Sequence, residues 1–198
     1  MGDKVAARAE ASEATRQRIL EAARHLFTER GYFNTSLQDI RRASGLSIGS
    51  IYHHFSGKEQ IARDLFYDTL AFLEGDIQGV YAAYRGARER CYHVIRRLFE
   101  TTEEAPEIME YVLYFKHREV LPAEKPICSS RPFELIKGII GEGIDTGEIR
   151  PMDEVLASAA LLGMPVRMVQ LRLEGVIDRP LTDLLAETWE CSWRSVAA

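Results

Sequence analysis

The chain has 198 residues, of which 46% are hydrophobic, and a formal net charge of −5. This length allows one large domain or two small ones, and the hydrophobic content is sufficient for a core. No run approaches the ~20 apolar residues of a membrane span, and the N-terminal residues lack the apolar stretch of a secretory signal. We therefore expect a cytoplasmic protein with no membrane segment.

The charge is unevenly distributed along the chain. Residues 1–60 hold nine Lys and Arg against seven Asp and Glu, a charge of +2, which leaves −7 for the remainder. This asymmetry turns the N-terminal part toward a polyanion and keeps the rest away from it. A charge of +2 is too small for strong non-specific binding of nucleic acid, which relies on counterion release.

The three cysteines are scattered, without the spacing of metal ligands. This usage fits a reducing compartment and predicts no metal site. Cys91 and Cys191 are expected to be small buried residues, whereas Cys128 falls in a predicted loop and could be a reactive thiol.

Hydrophobic spacing and turn residues predict an all-α protein of about nine helices, with no clear strand. Residues 1–12 are expected to form a fraying tail. Pro165 predicts a kink in the eighth helix. The expected helices run over residues 12–30, two short segments within 36–55, then 58–80, 87–102, 106–118, 132–145, 153–174 and 181–194.

The stretch from Ser36 to Lys58 carries the signals of two short helices joined by a tight turn. Ser36 can cap the first helix in a capping box with Asp39. Gly45 supplies the left-handed backbone of the turn, and Ser47 can cap the second helix. Helical spacing predicts that Leu37, Ile40, Ile48, Ile51 and Phe55 face inward. The pattern is that of a helix-turn-helix.

The outward residues of this stretch suit contact with double-stranded DNA. Hydroxyl groups can donate to phosphates, imidazoles can reach phosphates or base edges, and Gly49 allows close approach. A lysine at the start of the next helix joins a positive charge to free N–H groups. The predicted DNA contacts are Ser36, Gln38, Ser47, Gly49, Ser50, Tyr52, His53, His54 and Lys58. The alternative, ordinary surface residues at 52–54, is disfavoured by the adjoining caps and turn.

Between Thr15 and Leu65 the chain resembles the TetR/AcrR family of bacterial regulators. The matching segments are Arg18-Ile19-Leu20-Glu21-Ala22-Ala23, Leu26-Phe27, Gly31-Tyr32, Thr35-Ser36-Leu37, Ile40, Gly45-Leu46-Ser47, Gly49-Ser50-Ile51-Tyr52, His54-Phe55 and Lys58-Glu59. The family usually has small residues where Arg41 and Ser44 stand, and Arg41 could extend to solvent or phosphate.

The resemblance implies an all-helical dimer with an N-terminal three-helix DNA-binding domain and a larger ligand-binding and dimerisation domain. We assign residues 1–57 to the tail and the helix-turn-helix domain, and residues 58–198 to the second domain. On this basis we expect a ligand-responsive transcriptional regulator. Our hypothesis is repression, relieved when a ligand shifts the fourth helix and so changes the separation of the two recognition helices. Activation is the alternative, since the fold does not set the sign.

The last two predicted helices are apolar nearly all round, so they must be covered on both sides. The body of the chain could cover one side and a second copy the other, in a two-fold four-helix interface. The alternative is a buried helix in a monomer, which the family resemblance disfavours. Two recognition helices about one DNA turn, ~34 Å, apart would read a palindromic operator. The expected interface residues are Leu156, Ala160, Gly163, Arg167, Leu171, Leu184, Thr188, Trp189, Ser192 and Trp193.

Aromatic residues concentrate between the fourth and seventh predicted helices. An apolar wall with a few hydroxyl and imidazole groups is typical of a small-molecule pocket, although such residues at helical spacing also form plain cores. The candidate pocket residues, for an apolar or aromatic effector, are Tyr81, Tyr84, Tyr92, Phe99, Met109, Tyr111, Tyr114, Phe115, His117 and Phe133.

Two other classes of function were compared with DNA binding. For an enzyme, the adjacent His53 and His54 point about 100° apart on a helix and do not converge on a metal as i, i+4 pairs do. The glycines at 138, 141 and 143 lie in a helical pattern and follow no strand, so they predict no nucleotide cofactor. A protein-interaction module is the third class, and salt-dependent affinity for DNA would separate it from a DNA-binding one.

Overall fold

The computed structural model describes the backbone of residues 2–198 and the side chains of residues 6–127 and 129–198. Within these residues the chain is all-α, with ten α-helices and one isolated bridge between Ile149 and Ala197. The α-helices are α1 Gly2–Arg30, α2 Leu37–Ser44, α3 Ile48–His54, α4 Lys58–Ala83, α5 Ala87–Glu104, α6 Pro106–Tyr114, α7 His117–Val120, α8 Arg131–Thr146, α9 Glu154–Leu173 and α10 Leu185–Arg194. Short 3-10 helices cover Ile127–Ser129 and Leu181–Leu184.

The first helix begins earlier than the sequence suggested. The tail expected over residues 1–12 is instead helical from Gly2 onward. Alanines at 6, 7, 9 and 11, with Arg8 and Glu10, are strong helix formers. Because these residues are exposed, their intrinsic propensity and the continuity of α1 account for the helix better than packing does.

The sixth predicted helix is divided in two by a tight turn. It was expected to run to Arg118, but α6 ends at Tyr114 and α7 follows from His117. The His117 N–H donates to the Phe115 carbonyl at 2.8 Å, and Lys116 has φ −78° and ψ 63°. These values are those of an inverse γ-turn, which interrupts the helical hydrogen-bond ladder.

The chain forms two compact units. The first contains Met1–Asp68 and Tyr114–Glu124, and we call it the head. Its core comprises Ile19, Leu20, Phe27, Ile40, Ile51, Phe55, Ile61, Leu65 and Phe66. Phe115 is buried in the head, where its ring lies 5.9 Å from that of Phe27 and 6.4 Å from that of Tyr32. The predicted functional boundary at residues 57 and 58 stays a prediction.

The second unit contains Thr69–Leu113 and Lys125–Ala198, and we call it the body. Helices α5, α8, α9 and α10 pack around one core that includes Ile95, Phe99, Ile139, Leu161 and Trp189. Glu103 on α5 pairs with Arg172 on α9 at 3.0 Å and accepts a hydrogen bond from the Leu181 N–H at 2.9 Å. This residue therefore ties α5 to the connection between α9 and α10.

Helix α9 is long and apolar enough to cross a membrane, by length and composition alone. This finding corrects the expectation that no run of the chain approaches such a length. Only 28% of its most apolar stretch is buried within the chain. A helix of a soluble domain also meets these criteria of length and composition when one apolar side packs against its own unit and a second apolar side is uncovered.

The cysteines follow the expectation in part. Cys91 is buried, and burial raises the pKa of its thiol to about 12. Cys191 is exposed, contrary to the expectation, because it lies on the outward side of α10. The Cys128 side chain, expected to be a possible reactive thiol, lies outside the described residues.

Candidate nucleic-acid interface

Helix α2 is held at both ends by side chains of the head. The Asp39 N–H donates to the Ser36 hydroxyl at 3.2 Å, and the Ser36 N–H donates to the Asp39 carboxylate at 2.9 Å. These two bonds form the predicted capping box. At the other end Gly45 has φ 67°, and Arg18 donates to the Ser44 carbonyl at 2.8 Å. The start and the end of α2 are therefore both fixed.

The Asp39 carboxylate is strongly stabilised as an anion. Hydrogen bonds from the Ser36 hydroxyl and the Ser36 N–H, with a smaller contribution from Arg42, hold the pKa of Asp39 to about 2. The Arg42 guanidinium lies 2.5 Å from this carboxylate. Because Asp39 stays ionised at neutral pH, the capping box is intact under physiological conditions.

Helix α3 begins at a second serine cap. The Ser47 hydroxyl accepts a hydrogen bond from the Ser50 N–H at 3.0 Å. Ile51 and Phe55 are buried, as helical spacing predicted. On the other side of the helix Gly49 and His53 are exposed, and the Tyr52 side chain is 57% exposed. Ser50 and His54 are half-buried.

The predicted DNA contacts differ in how free their polar groups are. Ser36 and Ser47 already use their hydroxyls as helix caps. Gln38 is exposed, and its side-chain oxygen accepts a hydrogen bond from the Arg41 Nε at 2.9 Å. Arg41 is thus drawn along α2. Tyr52 and His53, which are adjacent on α3, are both exposed.

Lys58 makes internal contacts that the sequence did not indicate. Its ammonium donates to the Tyr32 carbonyl at 2.8 Å and to the Thr35 carbonyl at 2.7 Å. The same group lies 4.1 Å from the centre of the Tyr32 ring, and burial lowers the pKa of Lys58. Two of its three N–H donors therefore hold the α1–α2 connection, and the predicted phosphate contact through the third stays a prediction.

The candidate effector residues are divided between the two units. Tyr114, Phe115 and His117 belong to the head, and the other seven belong to the body. Phe99 and Met109 belong to the core of the body, and Tyr111 is also buried in the chain. Tyr92 borders an open depression of about 540 Å³ together with Arg88, His93, Glu148 and Trp189. Of the ten predicted residues, Tyr92 is the one that lines this depression.

The predicted dimer residues also divide, by exposure. On α9 Leu156, Gly163 and Arg167 are exposed, and Ala160 and Leu171 are half-buried. The five predicted residues of the last helical segment are instead buried in the body. These five are Leu184, Thr188, Trp189, Ser192 and Trp193.

Aromatic packing explains why the last helix faces inward at these positions. The Trp189 ring stacks on Trp193 with centroids 5.2 Å apart and meets the edge of Tyr92 on α5 at 5.4 Å. The outward side of α10 carries Glu187, Glu190, Cys191 and Arg194 instead. The apolar residues counted in the sequence did not show which side of α10 is buried in the body.

Residues overlooked in the sequence include Arg18, which caps the end of α2, and Tyr32, whose ring and carbonyl hold Lys58. No local pattern marks either role, since their partners lie 26 residues away along the chain. Arg42 was overlooked as well, and its pairing with Asp39 at i, i+3 spacing was visible in the sequence.

The two capped helices, the glycine turn between them and the exposed side of α3 define a helix-turn-helix DNA-binding protein. Residues 19–65 match the family model described as bacterial regulatory proteins, tetR family. The transcriptional repressor KstR2 of Mycolicibacterium smegmatis is 29% identical over 140 residues, which cover 69% of this chain and 68% of that protein. The transcriptional regulator UidR of Escherichia coli K12 is 34% identical over 74 residues, which cover 35% of this chain and 38% of that protein.

Solved structures share the fold over nearly the whole chain. A TetR family regulator from Marinobacter aquaeolei VT8 aligns with a TM-score of 0.80 at 21% identity, covering 96% of this chain and 98% of that one. FadR from Bacillus subtilis, in complex with stearoyl-CoA, aligns with a TM-score of 0.77 at 22% identity. The alignment covers 90% of this chain and 98% of that one. The helix-turn-helix segment of the chain thus matches the tetR family of bacterial regulatory proteins, and the chain as a whole shares the fold of these solved structures.

Proposed function

We propose that the protein is a ligand-responsive repressor that binds a palindromic operator as a homodimer in the cytoplasm. A small molecule bound among helices α4 to α8, the fourth to seventh helices of the sequence prediction, releases it from DNA. The observation that carries the proposal is the pair of capped helices around Gly45, with Tyr52 and His53 exposed on the second. Catalysis is not part of this function.

The exposed side of α3 is the proposed reader of DNA. Tyr52 and His53 would reach the groove or its phosphates, while Gly49 allows the backbone to approach. The half-buried Ser50 and His54 would contribute from the edges of this side. Gln38, Ser47 and Lys58 would contact phosphates with the donors that their internal bonds leave available. Ser36 would do so only by turning its hydroxyl, which donates to Asp39, toward the DNA.

The uncovered side of α9 supports the proposed homodimer. Val155 and Leu156 are 60% and 58% exposed, and Met164 is 40% exposed. Gly163 and the half-buried Ala160 would allow close approach of a second helix. On α10 we place the interface on the outward side with Glu187, Glu190, Cys191 and Arg194, rather than on the five buried residues.

An apolar effector is supported by the nature of the relatives. FadR of Bacillus subtilis was solved with stearoyl-CoA, and KstR2 of Mycobacterium tuberculosis is described as a ketosteroid transcriptional regulator. Each of those descriptions concerns a compound with a large apolar part, the stearoyl chain in one and the steroid rings in the other. For this chain, a coupling free energy of about 1–3 kcal/mol between effector and DNA would change operator affinity roughly five- to 150-fold.

The test begins with selection of bound duplexes from a random pool by the parent protein. A two-fold symmetric consensus is expected, and fluorescence anisotropy then measures its affinity at several salt concentrations. Tyr52→Ala should weaken binding by about 1–3 kcal/mol, roughly 5- to 150-fold, because Tyr52 is exposed on the proposed reading side. Tyr67→Ala, on α4 of the same unit, is the matched control.

Recovery of no consensus would rule out the proposed function, since the parent protein would then have no operator. Equal operator affinity for the parent and Tyr52→Ala would instead rule out the assigned reading side and leave DNA binding intact. Size measurements in solution test the homodimer separately, because a protein that stays monomeric at the concentrations of binding contradicts that part of the proposal.

A further inference from the structure

Phe33 has the most exposed ring among the aromatic side chains that the structure describes. It is 68% exposed and lies in the connection between α1 and α2, three residues before the Ser36 cap. A single exposed hydrophobic residue needs no explanation by itself. Phe33 differs because of how it is held and what lies next to it.

The turn that carries Phe33 is fixed on both sides. The Gly31 N–H donates to the Phe27 carbonyl at 3.1 Å, and the Thr35 hydroxyl donates to the Gly31 carbonyl at 2.9 Å. Lys58 binds the carbonyls of Tyr32 and Thr35, the residues one before and two after Phe33. The backbone at Phe33 is thus ordered before any partner binds, which lowers the entropic cost of a contact made by its ring.

The Phe33 ring is linked through Tyr32 to a cation. Phe33 lies edge-on to Tyr32, with ring centroids 5.3 Å apart and an interplanar angle of 85°. The Tyr32 ring in turn holds the Lys58 ammonium at 4.1 Å. Helix α2 begins at Leu37, and its cap satisfies only part of the free N–H groups at that end. Through Tyr32 the exposed ring is thus linked to a cation that favours phosphate. It also precedes the start of α2, where free N–H groups favour a phosphate and the Asp39 carboxylate opposes it.

We propose that Phe33 packs against a deoxyribose of the operator strand whose phosphate is drawn to Lys58 and the start of α2. This inference rests on the DNA-binding function proposed above. Sugars and phosphates alternate along each strand, and the C–H groups of a sugar are the apolar surface next to a phosphate. The contact would fix the position of the head on DNA without reading sequence, as backbone contacts do.

A protein partner or a second copy of the chain would be a different occupant of this side chain. Lys58 and the start of α2 favour the polyanionic backbone over either of these. Because the contact is apolar, it neutralises no phosphate, so its loss should leave the salt dependence of binding unchanged. Loss of a lysine or arginine contact would instead reduce the slope of log affinity against log salt by roughly 1 per phosphate.

The binding experiment compares Phe33→Ala and Phe33→Leu with the parent protein on the duplex selected by the parent. Phe33→Ala should bind roughly five- to thirtyfold more weakly, since removal of a partly buried ring costs about one to two kcal/mol. Phe33→Leu keeps part of the apolar area, so its affinity for the duplex should lie between those of the parent and Phe33→Ala. Val176→Ala changes an equally exposed apolar residue of the body, 67% exposed, and should bind as the parent does.

Hydroxyl-radical cleavage identifies the contact directly, because the radicals attack sugar C–H bonds. The parent should protect sugars that become reactive again with Phe33→Ala, at saturating protein and with the rest of the footprint unchanged. Equal affinity and an equal footprint for the parent and Phe33→Ala would overturn the inference while DNA binding stands. A change of oligomeric state in Phe33→Ala would assign the ring to a second copy, and a parent that selects no duplex would refute both proposals.

Discussion

The two units differ in the sequence separation of the contacts that fix their helices. In the head, the caps of α2 and α3 join residues three positions apart, Ser36 with Asp39 and Ser47 with Ser50. In the body, Glu103 holds Arg172 from 69 positions away, and Arg90 holds Glu142 from 52 positions away. Short-range caps give α2 and α3 definite starts, whereas the pairs of the body join helices that are distant in the sequence.

The start of α5 illustrates the long-range kind of contact. The Glu148 carboxylate accepts hydrogen bonds from the Ala87 and Arg88 N–H groups at 2.9 and 3.0 Å. It serves as the cap of a helix that begins about sixty residues earlier. Such a cap leaves no local sequence signal. The starts of α2 and α3 are therefore specified by nearby residues, while the start of α5 is specified only by the completed fold.

The largest expected effect tests which side of α10 is buried. Trp189→Ala should lower the free energy of unfolding by about 3–5 kcal/mol, because the ring is packed between Trp193 and Tyr92. Leu156→Glu, at a position that is 58% exposed, should leave the fold intact and weaken dimerisation. Urea unfolding and sedimentation velocity separate the two effects. A Trp189→Ala variant that unfolds like the parent but fails to dimerise would restore the interface first expected from the sequence.

A pair of glycines on α8 tests the packing of the body next. A Cβ at Gly143 would lie 2.6 Å from the Cβ of Ala87 and 2.8 Å from the Cδ1 of Ile149, whereas a Cβ at Gly138 meets nothing within 4 Å. Gly143→Ala should therefore destabilise the protein by about 1–3 kcal/mol through overpacking. Gly138→Ala should stabilise it by about 0.5–1 kcal/mol through helix propensity. Thermal unfolding measures both, and equal shifts would contradict the close contact of α8 with Ala87.

The head also has long-range contacts, and Lys58 makes two of them. Lys58→Ala removes two hydrogen bonds to carbonyls and a contact with the Tyr32 ring, and should cost about 1–3 kcal/mol of stability. Lys116→Ala, which removes a lysine whose side chain is 70% exposed, should change stability by less than ~0.5 kcal/mol. Equal stability of the two variants would contradict the internal role of Lys58.

The salt dependence of operator binding then decides whether Lys58 has a second role. If its third N–H reaches a phosphate, Lys58→Ala should also reduce the salt slope by about 1. An unchanged slope would limit Lys58 to holding the α1–α2 connection. Lys116→Ala provides the reference slope, since that side chain pairs with Glu119 at 3.2 Å.

The reach of the contacts explains how much could be predicted from the sequence. The all-α class, the caps at Ser36 and Ser47 and the turn at Gly45 all rest on local signals, and each was predicted. The burial of Trp189 and Trp193 was not, although the charges at 187, 190 and 194 already indicated that the opposite side of α10 faces solvent. The helical N-terminus was not predicted for another reason. Its residues show no apolar periodicity, and only the helix propensity of the exposed alanines favours a helix there.

The smallest expected effect concerns the short-range kind of contact, at Asp39. Its pKa of about 2 in the folded protein lies below the ~3.9 of an unfolded aspartate, so the carboxylate stabilises the fold above about pH 4. That contribution is lost as the pH falls from 4 toward 2. Asp39→Asn should therefore be less stable than the parent at pH 7, and the difference should shrink toward pH 2.

Arg42→Ala, which removes the weaker contribution, should show a smaller difference with the same direction of pH dependence. Urea midpoints at each pH measure both variants, and a difference for Asp39→Asn that grows on acidification would contradict the capping box as its cause.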